Sequence, residues 1–101
     1  MREEKLLFYL GHNCAGREHR VSGRTLERAL GIRGTDLRKL VSRLRKRGIP
    51  ICSDRNGYFY AVRASEVYTT IHQLEAWIAG ARAAVQGLER SLDSFAERKS
   101  P

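Results

Sequence analysis

The sequence predicts a mainly α-helical chain with a small β-hairpin near its middle and a long helix at its carboxy end. Three observations predict it. Apolar residues recur at steps of three and four through most of the first fifty residues, the period of one buried helix face. Between Ile49 and Val62 that period gives way to alternation around a polar segment containing Asn-Gly. From Val67 to Phe95 steps of four and three alternate without a miss, which is a heptad repeat.

Taken in order, Arg2 to Leu10 places Leu6, Leu7 and Leu10 on one face, and Gly11 and Asn13 supply a stop. The stretch His12 to Val21 is polar and reads as a connection. Ser22 is then a good N-cap for a second helix through Leu30, with Leu26, Ala29 and Leu30 on one face and Gly31 placed for a left-handed end. A third helix follows almost at once, over Arg33 to Arg47, with Leu37, Leu40, Val41 and Leu44 as its inward stripe. Two helices joined by the link Gly31, Ile32, Arg33 form a helix-turn-helix, whose second helix enters a major groove. Ile49, Ile51, Tyr58, Tyr60 and Val62 then alternate as the inward set of a hairpin, with Pro50 marking its first strand as an edge and Asn-Gly at its turn. Phe59 points the other way, to pack under the first helix or the long one. A hairpin following a recognition helix is a wing, and Arg55 with Asn56 forms its tip.

The last third differs in character. Ser65 can cap a helix with Glu66 at its positive end. In the heptad, Val67, Leu74, Ala81, Leu88 and Phe95 fall at d, and Ile71, Ile78, Val85 and Leu92 at a. β-Branched a positions with Leu-like d positions favour a two-stranded parallel coil. Gly80 and Gly87 fall on the outer face, and Trp77 sits at g beside the seam, which favours burial in a core or interface. The expected organisation is a domain at 1–64 and a dimerisation helix at 65–101 with a frayed end.

Charge divides the chain the same way. Residues 1–64 hold 15 basic and 6 acidic side chains, net +9, and residues 65–101 hold 4 and 5, net −1, which together give the chain's +8. Excess fixed positive charge points to a polyanion. The third-helix run carries Arg33, Arg38, Lys39, Arg43, Arg45, Lys46 and Arg47 against one acid, Asp36. Its outward side presents Thr35, Arg38, Lys39 and Ser42, where base edges can be reached, and Arg38 is the strongest candidate because a guanidinium bonds a guanine edge in two places. Arg43, Arg45, Lys46 and Arg47 suit phosphate or solvent. With six to eight basic residues of this helix and the wing on phosphates, affinity should fall steeply with salt.

Other chemistry is poorly supported. His12, Cys14, His19 and Cys52 lack the paired spacing of a zinc site, and the two cysteines read as reduced thiols. No phosphate-binding glycine loop, nucleophile with its base, or isolated carboxylate pair occurs, so enzyme activity and cofactors are not expected. No signal-peptide pattern or apolar run of about 18 residues is present, which implies a cytoplasmic protein with no membrane role.

The segments SGRTLERALGI, DLRKLVSRLRKRGIPI and GYFYA, in that order and at their separations, resemble the winged helix-turn-helix at the amino end of the biotin operon repressor. The resemblance covers about Val21 to Val62. It departs where that family commonly begins its recognition helix with a Ser or Thr cap, since Arg33 and Gly34 stand there. The chain also resembles small winged-helix proteins of phages and prophages. The resemblance implies a small winged-helix protein that binds double-stranded DNA as a sequence-specific transcriptional regulator, and the heptad stripe, which lies outside the resemblance, adds a dimer through the carboxy-terminal helix. Its DNA-binding residues would be Arg33, Thr35, Arg38, Lys39, Ser42, Arg43, Lys46, Arg55 and Asn56. A phage or plasmid DNA-architecture factor, excisionase-like or origin-binding, is an alternative; a protein-interaction adaptor is another.

Overall fold

A computed structural model describes residues 2–95. The frayed end expected for the last residues lies outside them. Helices α1 (Arg2–Asn13), α2 (Gly23–Leu30) and α3 (Gly34–Lys46) precede a hairpin of β1 (Ile51–Asp54) and β2 (Gly57–Tyr60), and α4 runs Ala64–Ser91. The chain is thus mainly α with a small antiparallel hairpin and a long carboxy-terminal helix, an order compatible with a winged helix. It divides into two units, Met1–Thr70 and Ile71–Pro101.

The first unit closes around one apolar cluster. Leu6 and Leu10 come from α1, Leu26 from α2, Leu37, Leu40, Val41 and Leu44 from α3, and Ile51, Cys52 and Phe59 from the hairpin. The three- and four-residue spacing of the helical members supplies one inward stripe per helix. Val67 also packs against this cluster, and Glu66 and Thr70 are buried. For that reason the unit extends past the expected boundary at 64 to Thr70.

The hairpin departs from the alternation read in the sequence. Phe59 is only 1% exposed, whereas Tyr58 and Tyr60 are half-buried and Val62 is exposed. The inward residue of β2 is therefore Phe59, the reverse of the expected register. Phe59 enters the apolar cluster, Tyr58 and Tyr60 only pack against it, and both long edges of β2 are bonded. One side pairs with β1, Cys52 opposite Phe59 and Ser53 opposite Tyr58. On the other, Tyr58 exchanges backbone bonds with Val21 (2.8 and 2.9 Å), Tyr60 N–H donates to Cys14 O (2.8 Å), and Gly16 N–H donates to Tyr60 O (2.7 Å). The strand still alternates, with Gly57 and Phe59 buried and Tyr58 and Tyr60 half-buried, because a shift of one residue exchanges the two faces. The stretch read as a polar connection thus supplies a buried Cys14 and two bridges to β2.

Strand β1 is the edge, as Pro50 indicated, and its outer groups are taken by side chains. Arg45 Nε donates to Ile51 O (2.7 Å), and Ser53 N–H donates to Thr70 Oγ1 (3.4 Å). The start of α4 is held by Glu66 rather than by the expected Ser65 cap. One Glu66 oxygen accepts from Val62 N–H (2.8 Å) and Arg63 N–H (3.2 Å), the other from Arg17 N–H (2.9 Å). A Glu in the first turn reaching back to the residue before the helix is half of a capping box.

Candidate nucleic-acid interface

Helix α3 is placed by its two ends and its inward stripe. Before it, Ser22 Oγ accepts from Thr25 N–H (3.1 Å) and starts α2, and Gly31, at φ 65° and ψ 40°, ends α2 in the left-handed conformation glycine adopts without a Cβ penalty. Ile32 N–H then donates to Glu27 O (3.0 Å), which closes the link and turns the chain into α3. Arg33 occupies the N-cap of α3 with no side-chain cap bond. With Leu37, Leu40, Val41 and Leu44 inward, the 3.6-residue period puts Thr35, Lys39, Ser42 and Lys46 opposite, flanked by Arg38 and Arg43. All six are exposed.

The basic residues of this run divide into three groups. Arg45 is turned inward, with Nε on Ile51 O and a terminal nitrogen donating to Ser53 Oγ (3.1 Å). Burial pulls its guanidinium below the usual arginine range, opposed by the nearby Tyr58 and Cys52. Arg45 therefore joins α3 to the hairpin and is removed from the set expected to meet phosphate or solvent. Arg43 and Arg47 both reach Glu3 of α1, at 3.4 and 2.9 Å. Their partner half-neutralises that flank, and Asp36 stands beside it at 3.8 Å from Arg2. Arg33, Arg38, Lys39 and Lys46 form the third group. Among the described residues no acid lies within ion-pair distance of any of them.

The wing tip is a two-residue loop. Asp54 Oδ1 accepts from Asn56 N–H (2.8 Å) and Gly57 N–H (3.1 Å), so Arg55 and Asn56 project between paired Asp54 and Gly57. The expected Asn-Gly turn is displaced by one position. Neither Arg55 nor Asn56 has positive φ, whereas Gly57, at φ 151°, lies against Val21 so closely that a Cβ would overlap the Val21 carbonyl. The glycine is in the strand, where the backbone of the preceding connection crosses it.

Arg20 was not anticipated. It donates to Arg17 O (3.0 Å) and lies 3.6 Å from Asp54, the residue that precedes the tip. Only the pairing of Val21 with Tyr58 brings it there, and nothing in the polar stretch 12–21 marks a strand. Cys14 and Cys52 are buried, and burial pushes both thiols up. Cys52 Sγ donates to Glu66 O (3.5 Å). His12 stacks on Phe8 at 4.0 Å on the outer side of α1.

In the second unit, Ile71, Ile78, Val85, Leu88, Leu92 and Phe95 are exposed, and Leu74 is half-buried. Val67, read as the first seam residue, packs in the first unit, so the exposed stripe starts at Ile71. Trp77 is 71% exposed in the single chain. Among the described residues no helix is long and apolar enough to cross a membrane. Compared with protein-family models, curated proteins and solved structures, the chain matches none.

Proposed function

We propose that the chain is a winged helix-turn-helix protein that binds duplex DNA sequence-specifically, as a homodimer, and regulates transcription. The observation that carries this reading is the outer face of α3. Thr35, Arg38, Lys39, Ser42 and Lys46 are exposed there with no acid paired to them, and the basic wing tip follows in the same unit. A face of that kind suits the major groove: Arg38 offers two parallel donors to a guanine edge, and Thr35 and Ser42 are short enough to let the helix approach. Arg33, Lys39, Lys46 and Arg55 are assigned to phosphates, which set register without reading sequence. Arg43 joins them on leaving Glu3, and Asn56 accompanies Arg55. The exposed stripe from Ile71 to Phe95 supports the dimer.

Titration of labelled duplexes over a range of salt tests the reading. With Arg45 turned inward and Arg47 held by Glu3, about five phosphate contacts remain per protomer, and log affinity should fall against log salt with a slope of about −4.5 per protomer. Arg38→Ala should erase roughly 1–3 kcal/mol of discrimination between specific and random duplex, and Arg55→Ala should weaken both alike. No duplex binding at low salt, or a flat salt response, refutes the DNA reading.

A further inference from the structure

We infer that two copies of this chain pair through α4 in antiparallel orientation, with Glu75 of each copy beside the partner's Arg82. The inference rests on the dimeric reading above and adds the orientation and register of the contact.

The apolar cluster of the first unit takes its last contribution from Val67, and α4 ends at Ser91. Between those limits the stripe holds six positions, Ile71, Ile78 and Val85 at a with Leu74, Ala81 and Leu88 at d. Five of the six are exposed in the single chain, and Leu74 is half-buried. They span about 26 Å at 1.5 Å per residue. Steps of three and four keep contact along that length with a helix carrying the same repeat, and a second copy does.

The flanking charges identify a second copy as the occupant and set its direction. Glu75 and Arg82, both at e, stand seven residues apart, about 10 Å along one helix edge, too far to pair with each other. Among the described residues neither forms an ion pair within the chain. An antiparallel pair that buries all six positions sets Ile71 against the partner's Leu88, Leu74 against the partner's Val85 and Ile78 against the partner's Ala81. The e residues then face one another. Glu75 lies beside the partner's Arg82 and Arg82 beside the partner's Glu75, two pairs of opposite sign. Glu89, the remaining charge at e, meets the partner's Tyr68, which is exposed and has a hydroxyl to donate. Sliding by one heptad either way opposes Glu75 to the partner's Glu75 or Arg82 to the partner's Arg82, and leaves two seam positions of each copy uncovered.

The parallel pair expected from the β-branched a positions matches these residues less well. It sets g beside e of the next heptad, so Arg82 meets the partner's Trp77, which attracts a cation, but Glu75 meets only the partner's Thr70. It also sets Ala81 against the partner's Ala81, two small side chains facing across the middle of the seam. The antiparallel register gives each Ala81 an isoleucine, which fills the layer evenly, and lays Trp77 over the partner's Ala84, where a small side chain leaves room for the indole.

Disulfide trapping and charge exchange in the full-length protein test the inference. Tagged Leu88→Cys mixed with untagged Ile71→Cys should give the mixed crosslink under mild oxidation. Leu74→Cys with Val85→Cys should do the same, which guards against a fold defect in one variant. None of the four should crosslink to itself, and the chain's own thiols, Cys14 and Cys52, are buried. Glu75→Lys should weaken dimerisation roughly 4- to 30-fold by sedimentation, as two pairs turn from attraction to repulsion. Arg82→Glu in the same chain should restore it. No Asp, Glu, Lys or Arg stands three or four residues from either position, so the exchange breaks no pair within the helix. Self-crosslinking of Leu88→Cys, absence of the mixed crosslinks, dimerisation unmoved by Glu75→Lys, or a defect that Arg82→Glu does not repair overturns the inference and leaves a dimer standing. A monomer by sedimentation at micromolar concentration overturns the dimeric reading with it, while duplex binding is scored separately.

Discussion

Glu66 is the side chain whose removal should cost the first unit most for its size. It is 9% exposed, and its carboxylate accepts three backbone N–H groups, from Arg17, Val62 and Arg63. Truncation leaves all three without their acceptor in a partly buried site. Each orphaned donor costs about 1–3 kcal/mol at full burial, and water reaching the exposed side lowers the sum, so Glu66→Ala should lose about 2–4 kcal/mol. For a unit of this size that is a fall in Tm of roughly 10–25 °C, read by circular dichroism at fixed protein concentration. Glu66→Gln keeps one accepting oxygen and should fall between. The bond from Arg17 N–H, then that from Val62, hold the carboxyl below its usual range, with burial opposing and Arg63 adding to the lowering. A depressed folded value means that the stabilisation is complete above the ordinary carboxylate value of about 4.3 and is lost as pH falls through the folded value. The Tm gap between the parent and Glu66→Gln should therefore be constant near neutrality and shrink in acid. A Glu66→Ala protein melting within 2–3 °C of the parent (roughly half a kcal/mol), or a gap that persists undiminished in acid, would refute the reasoning.

Glu3→Gln removes the acid that Arg43 leaves to meet phosphate and frees Arg47, so duplex affinity at low salt should rise and the salt slope steepen by up to about 0.9, at little cost in stability because the pairs are exposed; unchanged affinity and slope remove both arginines from the interface. Gly57→Ala should destabilise the first unit by about 2 kcal/mol or more, since the new Cβ meets backbone of Val21 rather than a side chain that could move; a Tm within a degree or two of the parent contradicts this. Gly80→Ala meets nothing within 4 Å and should stabilise α4 by about 0.5–1 kcal/mol, seen as raised helicity without loss of dimer; weaker dimerisation instead would place Gly80 in the helix contact.

The parts legible in the sequence are those governed by neighbours in the chain. Ser22 and Gly31 delimit α2 because a cap and a left-handed end need only adjacent backbone, and the stripe of α3 shows in its own spacing. The fold class followed from such local signals. What escaped depends on residues far apart. The inward face of β2 was inverted because the cluster that takes Phe59 is assembled from helices far back in the chain, and its second edge was missed because Val21 and Cys14, some forty residues away, occupy it. Arg45 looked like its basic neighbours, and only the passing of β1 alongside α3 turns it inward. Glu66 read as a charge suited to a helix start, but its bond to Arg17 spans 49 residues. Of the candidate interface, the outer residues of α3 followed from helical period, whereas Arg20 joined the wing tip only through strand pairing.

Folding also changes what the charge run means. In the sequence seven cations stand against Asp36 in one stretch, and a solvated helix face would account for them equally well. In the folded unit the cations are sorted: Arg45 enters the hairpin contact, Arg43 and Arg47 turn to Glu3, and Arg33, Arg38, Lys39 and Lys46 stay unpaired. The acids are placed correspondingly, Glu3 and Asp36 on the α1 flank, Asp54 beneath the wing tip, and Glu66 at the start of α4. Each of those carboxylates holds a specific contact of the fold, and none lies opposite the buried stripe of α3. Self-repulsion among the remaining cations opposes folding slightly, and a solvated face would relieve it by interspersing acids. Their absence from this one face, in a unit that uses its acids elsewhere, is what favours a polyanionic partner over solvent.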